Sequence, residues 1–187
     1  MRNVLLTTVI TILGLSNVTA QKIKLGAKAG LNFSFITGDN TEDLDPNTDF
    51  HFGVMAEIQV SNKFSLQPEL LYSGQGFDTN IDSEGIIALN YLNIPVLAEY
   101  YVTEKISLEA GPQIGFLLST KGGTRDYKDL FKTTDFGVNF GLGYTLNNKI
   151  NFSARYTLGV TDINNMDGFS DQNRHGVFQV SICYFIF

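Results

Sequence analysis

Six charged side chains carry the clearest chemical potential in this sequence: Lys28, Glu57, Glu69, Glu99, Glu109 and Arg155. Each occupies a small-or-polar position in a stretch where every second residue is apolar. All six therefore point to one side of the surface those stretches form. Taken out of water, each charge costs several kcal/mol unless it is paired. Four acids against two bases leave an imbalance that water or a shifted proton must absorb. A charged channel or gate is one reading; a network of ion pairs that fills an interior is the other, and the residue types favour the second.

Other candidates are weaker. His51 and His175 lie near Asp49, Ser170 and Asp171 in the sequence, but hydrolysis by a Ser-His-Asp set needs geometry that spacing does not supply. No H-E-x-x-H or paired-His spacing for a metal occurs. Acid-rich stretches (Asp39, Glu42, Asp43, Asp45, Asp49; Asp162, Asp167, Asp171) lack the EF-hand spacing and read as solvated loops. Gly141-x-Gly143 precedes no helix, so a nucleotide site is not expected. Asn32-Phe33-Ser34 and Asn151-Phe152-Ser153 match a glycosylation pattern but fall inside strands. The expectation is a protein that is not an enzyme and carries no cofactor or metal.

The elements that position these residues are strands. In 22–35, Ile23, Leu25, Ala27, Ala29, Leu31, Phe33 and Phe35 alternate with Lys22, Lys24, Gly26, Lys28, Gly30, Asn32 and Ser34. Seven more alternating runs follow, near 50–60, 64–73, 91–100, 106–118, 135–144, 150–160 and 177–186. The connections keep step: long (37–49), short (61–63), long (78–87), short (102–104), long (119–133), short (147–149), long (162–174). Short turns at one end and long loops at the other are the pattern of an outer-membrane barrel. The expected fold is all-β: an eight-stranded antiparallel up-and-down transmembrane barrel, its narrow interior filled by side chains. Closure is required because an open edge leaves bare amides in lipid. Pro68, Pro95 and Pro112 each delete a donor, so bulges or ladder interruptions are expected there.

Alternation alone does not say which face is outside. A lipocalin-like soluble barrel would turn the apolar face inward around a ligand. Here the polar face is mostly Gly, Ser, Asn and Gln, which suits a narrow lumen better than a solvated exterior. With no Trp, the 15 Phe and 8 Tyr must supply the interfacial girdles. Phe33, Phe35, Phe50 and Phe52 sit toward the long loops; Phe64, Tyr100, Tyr144, Phe152 and Tyr184 sit toward the short turns.

Met1-Arg2-Asn3, an apolar stretch from Val4 to Leu15, and small residues at Val18 and Ala20 read as a signal peptide cleaved before Gln21. The expected organisation is 1–20 signal peptide and 21–187 barrel domain. The single Cys183 forms no internal disulfide, and the net charge of −6 argues against nucleic acid as a partner.

Several segments together resemble one family. They are Gly26-x-Lys28-x-Gly30-Leu31-Asn32, Tyr91-Leu92-Asn93-Ile94-Pro95-Val96-Leu97, Glu109-Ala110-Gly111-Pro112 and Gly141-Leu142-Gly143-Tyr144. In order and spacing they are similar to the PorT-like outer-membrane β-barrel family common in the Bacteroidetes group. The resemblance implies an eight-stranded outer-membrane barrel of mostly unassigned activity, whose namesake is tied to protein secretion. Such barrels typically end on outward aromatics read by the insertion machinery; here Phe187 falls one residue out of phase with Tyr184. The expected function is a non-enzymatic structural or interaction component, with a role accessory to secretion; the alternative is a narrow pore for small solutes. Expected partners are outer-membrane lipid, the barrel-insertion machinery and proteins met through the long loops, with both termini periplasmic.

Overall fold

A computed structural model describes residues 22–38, 41, 44–79, 85–122, 127–163 and 173–186. The expected signal peptide, Asp39, Glu42, Asp43, Asp167, Ser170, Asp171 and Phe187 lie outside these residues. Eight antiparallel strands form one sheet closed in sequence order. They are β1 (Ile23–Gly38), β2 (Asp45–Gln59), β3 (Phe64–Asp78), β4 (Ile86–Tyr101), β5 (Ile106–Gly122), β6 (Thr134–Thr145), β7 (Ile150–Gly159) and β8 (Asn173–Phe185). The barrel closes by pairing β1 with β8, from Gly26 opposite Phe185 to Gly38 opposite Asn173. A single 3₁₀ turn, Lys128–Leu130, is the one helical element among the described residues.

The apolar face is outside. Phe33, Phe50, Phe52, Phe64, Tyr100, Tyr144, Phe152 and Tyr184 are all exposed, along with most outward Leu, Val and Ile side chains. The alternate set, including Asn32, Gln67, Glu69, Asn93, Asn139 and Arg155, is buried in the lumen. A closed sheet with a greasy exterior and a polar interior is built for hydrocarbon surroundings, and the lipocalin-like arrangement is inverted.

The short turns share one device. Ser61 Oγ accepts from the amides of Lys63 and Phe64 at 3.3 and 3.2 Å. Thr103 Oγ1 does the same for Lys105 and Ile106 at 3.2 and 3.0 Å, and Asn147 Oδ1 for Lys149 and Ile150 at 2.9 Å each. A side-chain oxygen at the first turn residue thus satisfies the amides that the hairpin leaves unpaired.

At the long-loop end the strands run further than the alternation indicates. β2 starts at Asp45 instead of Phe50, β3 continues to Asp78, β4 starts at Ile86, β5 reaches Gly122 and β8 begins at Asn173. Turn formers such as Pro46, Asn47 and Asp49 are held extended because Pro46 pairs with Phe77 of β3 while Asn47 and Asp49 pair with Ser34 and Asn32 of β1, and tertiary pairing outweighs local preference. The inside of this extension is apolar, which the polar-face pattern does not indicate. Ile36, Phe77, Ile87, Leu89, Tyr91, Leu117, Phe131 and Ile163 pack as one buried cluster, with Leu44 and Tyr127 against it. Phe131 comes from the β5–β6 connection and meets Phe77 edge-on, ring centroids 6.5 Å apart. Bonds from Lys132 N to Ile163 O and from Leu117 N to Thr133 O, each 2.8 Å, fasten that connection across the top.

The prolines act as expected, by interrupting ladders without shifting register. Pairing lapses between Met55–Glu69 and Ile58–Leu66 at Pro68, between Pro68–Val96 and Leu71–Asn93 at Pro95, and between Pro95–Gln113 and Ala98–Ala110 at Pro112. Each proline faces the preceding strand with no N–H to give. At the first lapse the outer wall carries a notch of about 510 Å³, lined by Val54, Ala56, Pro68 and Leu70 and reaching Met55 and Glu69. True register shifts occur elsewhere, between Pro46 and His51 on β2 and between Asn90 and Tyr91 opposite β5.

Candidate functional site in the barrel lumen

The lumen is where charge, polarity and burial converge. β7 brings Arg155 inward opposite Gly141 on β6 and Gln179 on β8. The missing side chain at Gly141 leaves the guanidinium free to cross the lumen. Arg155 donates from Nη1 and Nη2 to the two oxygens of Glu69 on β3, both at 2.9 Å. It also donates from Nη2 and Nε to Glu109 Oε2 on β5, at 2.8 and 3.3 Å. The side chains of Arg155 and Glu69 have no solvent exposure. The planar fork matches two carboxylates as a lysine point charge does not. Glu69 is completed by Lys28 Nζ at 3.1 Å and Gln67 Nε2 at 2.6 Å.

Four of the six charges read from the sequence thus form one cluster: Lys28, Glu69, Glu109 and Arg155. Glu57 lies apart and pairs with Lys24 Nζ at 3.2 Å toward the short-turn end. Glu99 stands directly across the ladder from Glu109 and accepts only from Tyr101 Oη, at 3.3 Å, among the described residues. Lys24, Gln67 and Tyr101 complete the set and were not singled out from sequence. Lys24 shares the inward phase of Lys28, and that was the available signal; its partner emerges only from the β1–β2 register, which sets Lys24 opposite Glu57.

One level nearer the long loops, His51 does not meet Asp49. The Asp49 carboxylate instead packs over Gly74 and accepts from the amide of Phe50 at 2.7 Å. His51 Nδ1 lies 2.7 Å from Asn32 Oδ1, and His51 Nε2 lies 2.8 Å from Ser181 Oγ. Asn32 Nδ2 donates to Gly74 O at 2.6 Å, so Oδ1 must be the acceptor. His51 therefore carries its proton on Nδ1, and Ser181 donates to Nε2. The order Ser181–His51–Asn32 has the contacts of a hydrolytic relay, but all three side chains are buried. Gly30, which pairs with both His51 and Ser181, has its main chain inside the ladder, so its amide is not free to meet an oxyanion. His175 is separate, with Nε2 3.2 Å from Tyr91 Oη.

Asn32 and Ser34 also repair the β2 bulge. Asn32 reaches Ser73 Oγ at 2.9 Å as well as Gly74 O, while Ser34 Oγ donates to Gly76 O at 2.8 Å and accepts from Gly76 N at 3.0 Å. Side chains of β1 thereby satisfy β3 main chain where β2 has moved out of register. Among the described residues no group of three or more His, Cys, Asp or Glu is placed to hold a metal.

Solved outer-membrane barrels share this architecture. The crystal structure of Neisserial surface protein A superposes with a TM-score of 0.59 at 11% identity, covering 88% of this chain and 99% of that one. The attachment invasion locus protein Ail of Yersinia pestis gives 0.55 at 13% identity over 87% and 98%. The outer membrane protein AlkL in lipid bilayers gives 0.51 at 13% over 91% and 93%. At these identities the likeness is one of fold. No curated protein sequence matches. The sequence profile described as outer membrane protein beta-barrel domain matches residues 19–165, most of the chain. The chain belongs to that family of outer-membrane β-barrel proteins.

Proposed function

We propose that this barrel is a non-enzymatic interaction component of the outer membrane and that it conducts no solute. The observation that carries the reading is the double closure of its lumen. The Arg155–Glu69–Glu109–Lys28 cluster spans the middle, and the apolar group around Leu89, Tyr91 and Phe131 fills the long-loop end. An ion path would have to break buried charge pairs at one level and cross a dry level at the other. The long-loop end, outside the cell in this reading, presents the contact surface for protein partners, and both termini are periplasmic. The finer assignment, a role accessory to protein secretion, rests on the PorT-like resemblance of the four segments and is an analogy of family.

Two experiments test this. Purified barrel reconstituted in planar bilayers gives no discrete conductance steps; defined steps establish the narrow pore instead. Deletion of the gene leaves secretion cargo in the periplasm, whereas an unchanged set of secreted proteins removes the secretion role and keeps the interaction barrel.

A further inference from the structure

We propose that the short-turn rim is a collar of four lysines, Lys22, Lys63, Lys105 and Lys149, that holds the anionic head groups of phospholipids in the leaflet on that side. Every strand that starts at this end, β1, β3, β5 and β7, follows directly on one of the four. Their main chains are fixed alike, each carbonyl oxygen accepting from the amide of the last residue of a neighbouring strand. Lys22 accepts from Gln59 at 3.1 Å, Lys63 from Tyr101 at 2.9 Å, Lys105 from Thr145 at 2.7 Å and Lys149 from Phe185 at 2.8 Å. The four therefore stand at one level, on alternate strands around the cylinder. All are exposed, and none makes an ion pair among the described residues.

The outer wall beside the collar sets its depth. The residue after Lys63 pairs with Tyr100, the residue after Lys105 with Tyr144 and the residue after Lys149 with Tyr184. All three tyrosines are exposed on the outer wall, and phenols in such a belt lie at head-group level. Lys149 Nζ lies 5.9 Å from the centre of the Tyr184 ring, so this ammonium leans over the wall and away from the lumen. A recess of about 440 Å³ opens there, lined by Asn147, Asn148, Lys149, Ile150 and Tyr184. Its ammonium and amides suit a phosphate, and its Ile150 and Tyr184 side suits the first carbons of an acyl chain. Little opposes the positive charge: Glu104 is the one acid in the three short turns, and Lys24 is already matched with Glu57. Each lysine beside an anionic lipid surface favours association about fivefold. The choice of phospholipid rests on the reading above that this end is periplasmic.

Electron spin resonance of the barrel in phosphatidylcholine vesicles, with a trace of spin-labelled phosphatidylglycerol or phosphatidylcholine, tests the collar. The expected association constant for phosphatidylglycerol is at least about fivefold the higher, and it falls to parity in about 1 M salt. Changing all four collar lysines to Gln abolishes the preference, while Lys121→Gln with Lys132→Gln, at the other end, keeps it; both variants still run as heat-modifiable bands. Equal immobilisation of the two lipids by the wild type overturns the proposal, as does undiminished preference in the fourfold variant. Orientation is read separately. Glu104→Cys, against a native Cys183 that is buried, reacts with an impermeant maleimide only after the outer membrane is opened. Labelling of intact cells overturns the periplasmic orientation, and with it the choice of leaflet.

Discussion

Replacing Arg155 with Met tests whether the central cluster is a mutual dependency or a collection of independent contacts. Three of its four N···O contacts are 2.8–2.9 Å. Charge-assisted bonds of this kind contribute about 1.5–3 kcal/mol each, so the gross loss is about 4–9 kcal/mol. Glu69 keeps Lys28 and Gln67, which offsets part of that loss. Glu109 keeps no cation among the described residues, so the penalty concentrates there. The expected net cost is about 3–5 kcal/mol, the range for leaving a buried charge without its partner. Urea titration of the barrel in lipid vesicles reads this through tyrosine fluorescence and gel mobility. With a slope of about 2 kcal/mol per molar, the midpoint falls by about 2 M. Adding Glu109→Gln to Arg155→Met restores part of the loss, because a neutral amide needs no counter-charge while Glu69 stays paired with Lys28. A single variant within about 0.5 kcal/mol of wild type, or a double variant no better than the single, refutes the reasoning.

Other perturbations separate the remaining parts of the argument. Asn32→Leu orphans His51 Nδ1 and Gln179 Nε2 and removes the bonds to Ser73 and Gly74, costing about 2–4 kcal/mol by the same urea assay. Val54→Lys sets a charge on the outer wall and destabilises the barrel in bilayers by about 2–4 kcal/mol. Val60→Lys, at the short-turn rim, costs less than about 1 kcal/mol; equal effects would argue against an outer wall in hydrocarbon. Phe131→Ala empties the top of the apolar cluster and costs about 3 kcal/mol. It still gives no conductance, because the ion-paired level below remains closed.

The alternation carried most of the architecture because it is local: the phase of Lys28, Glu69 and Arg155 follows from their own neighbours. What required register stayed hidden. Lys24 meets Glu57 only once β1 and β2 are aligned, and Ser181, His51 and Asn32 meet only when β8 closes on β1 with β2 alongside. Asp45, Pro46 and Asn47 carry turn chemistry, yet pairing with β3 (Asp45, Pro46) or β1 (Asn47) keeps them extended. The apolar filling at the long-loop end was obscured for a related reason. Ile36 lies where the alternation runs into polar sequence, while Ile87 and Leu89 stand in the apolar run Ile86–Leu89 with no polar partners to set a phase, so nothing nearby marks them as inward.

The run of lapses at Pro68, Pro95 and Pro112 divides the wall into unequal arcs. From β5 through β8 and across to β1 the ladders are unbroken, and the join between first and last strand alone holds thirteen consecutive residue pairs. Amide protons along that join should be the last to exchange with solvent deuterium, and those of β2 to β4 beside the prolines the first. The join between first and last strands is therefore the most firmly shut part of the cylinder. Any sideways parting of the wall belongs on the opposite arc, between strands made in the middle of the chain.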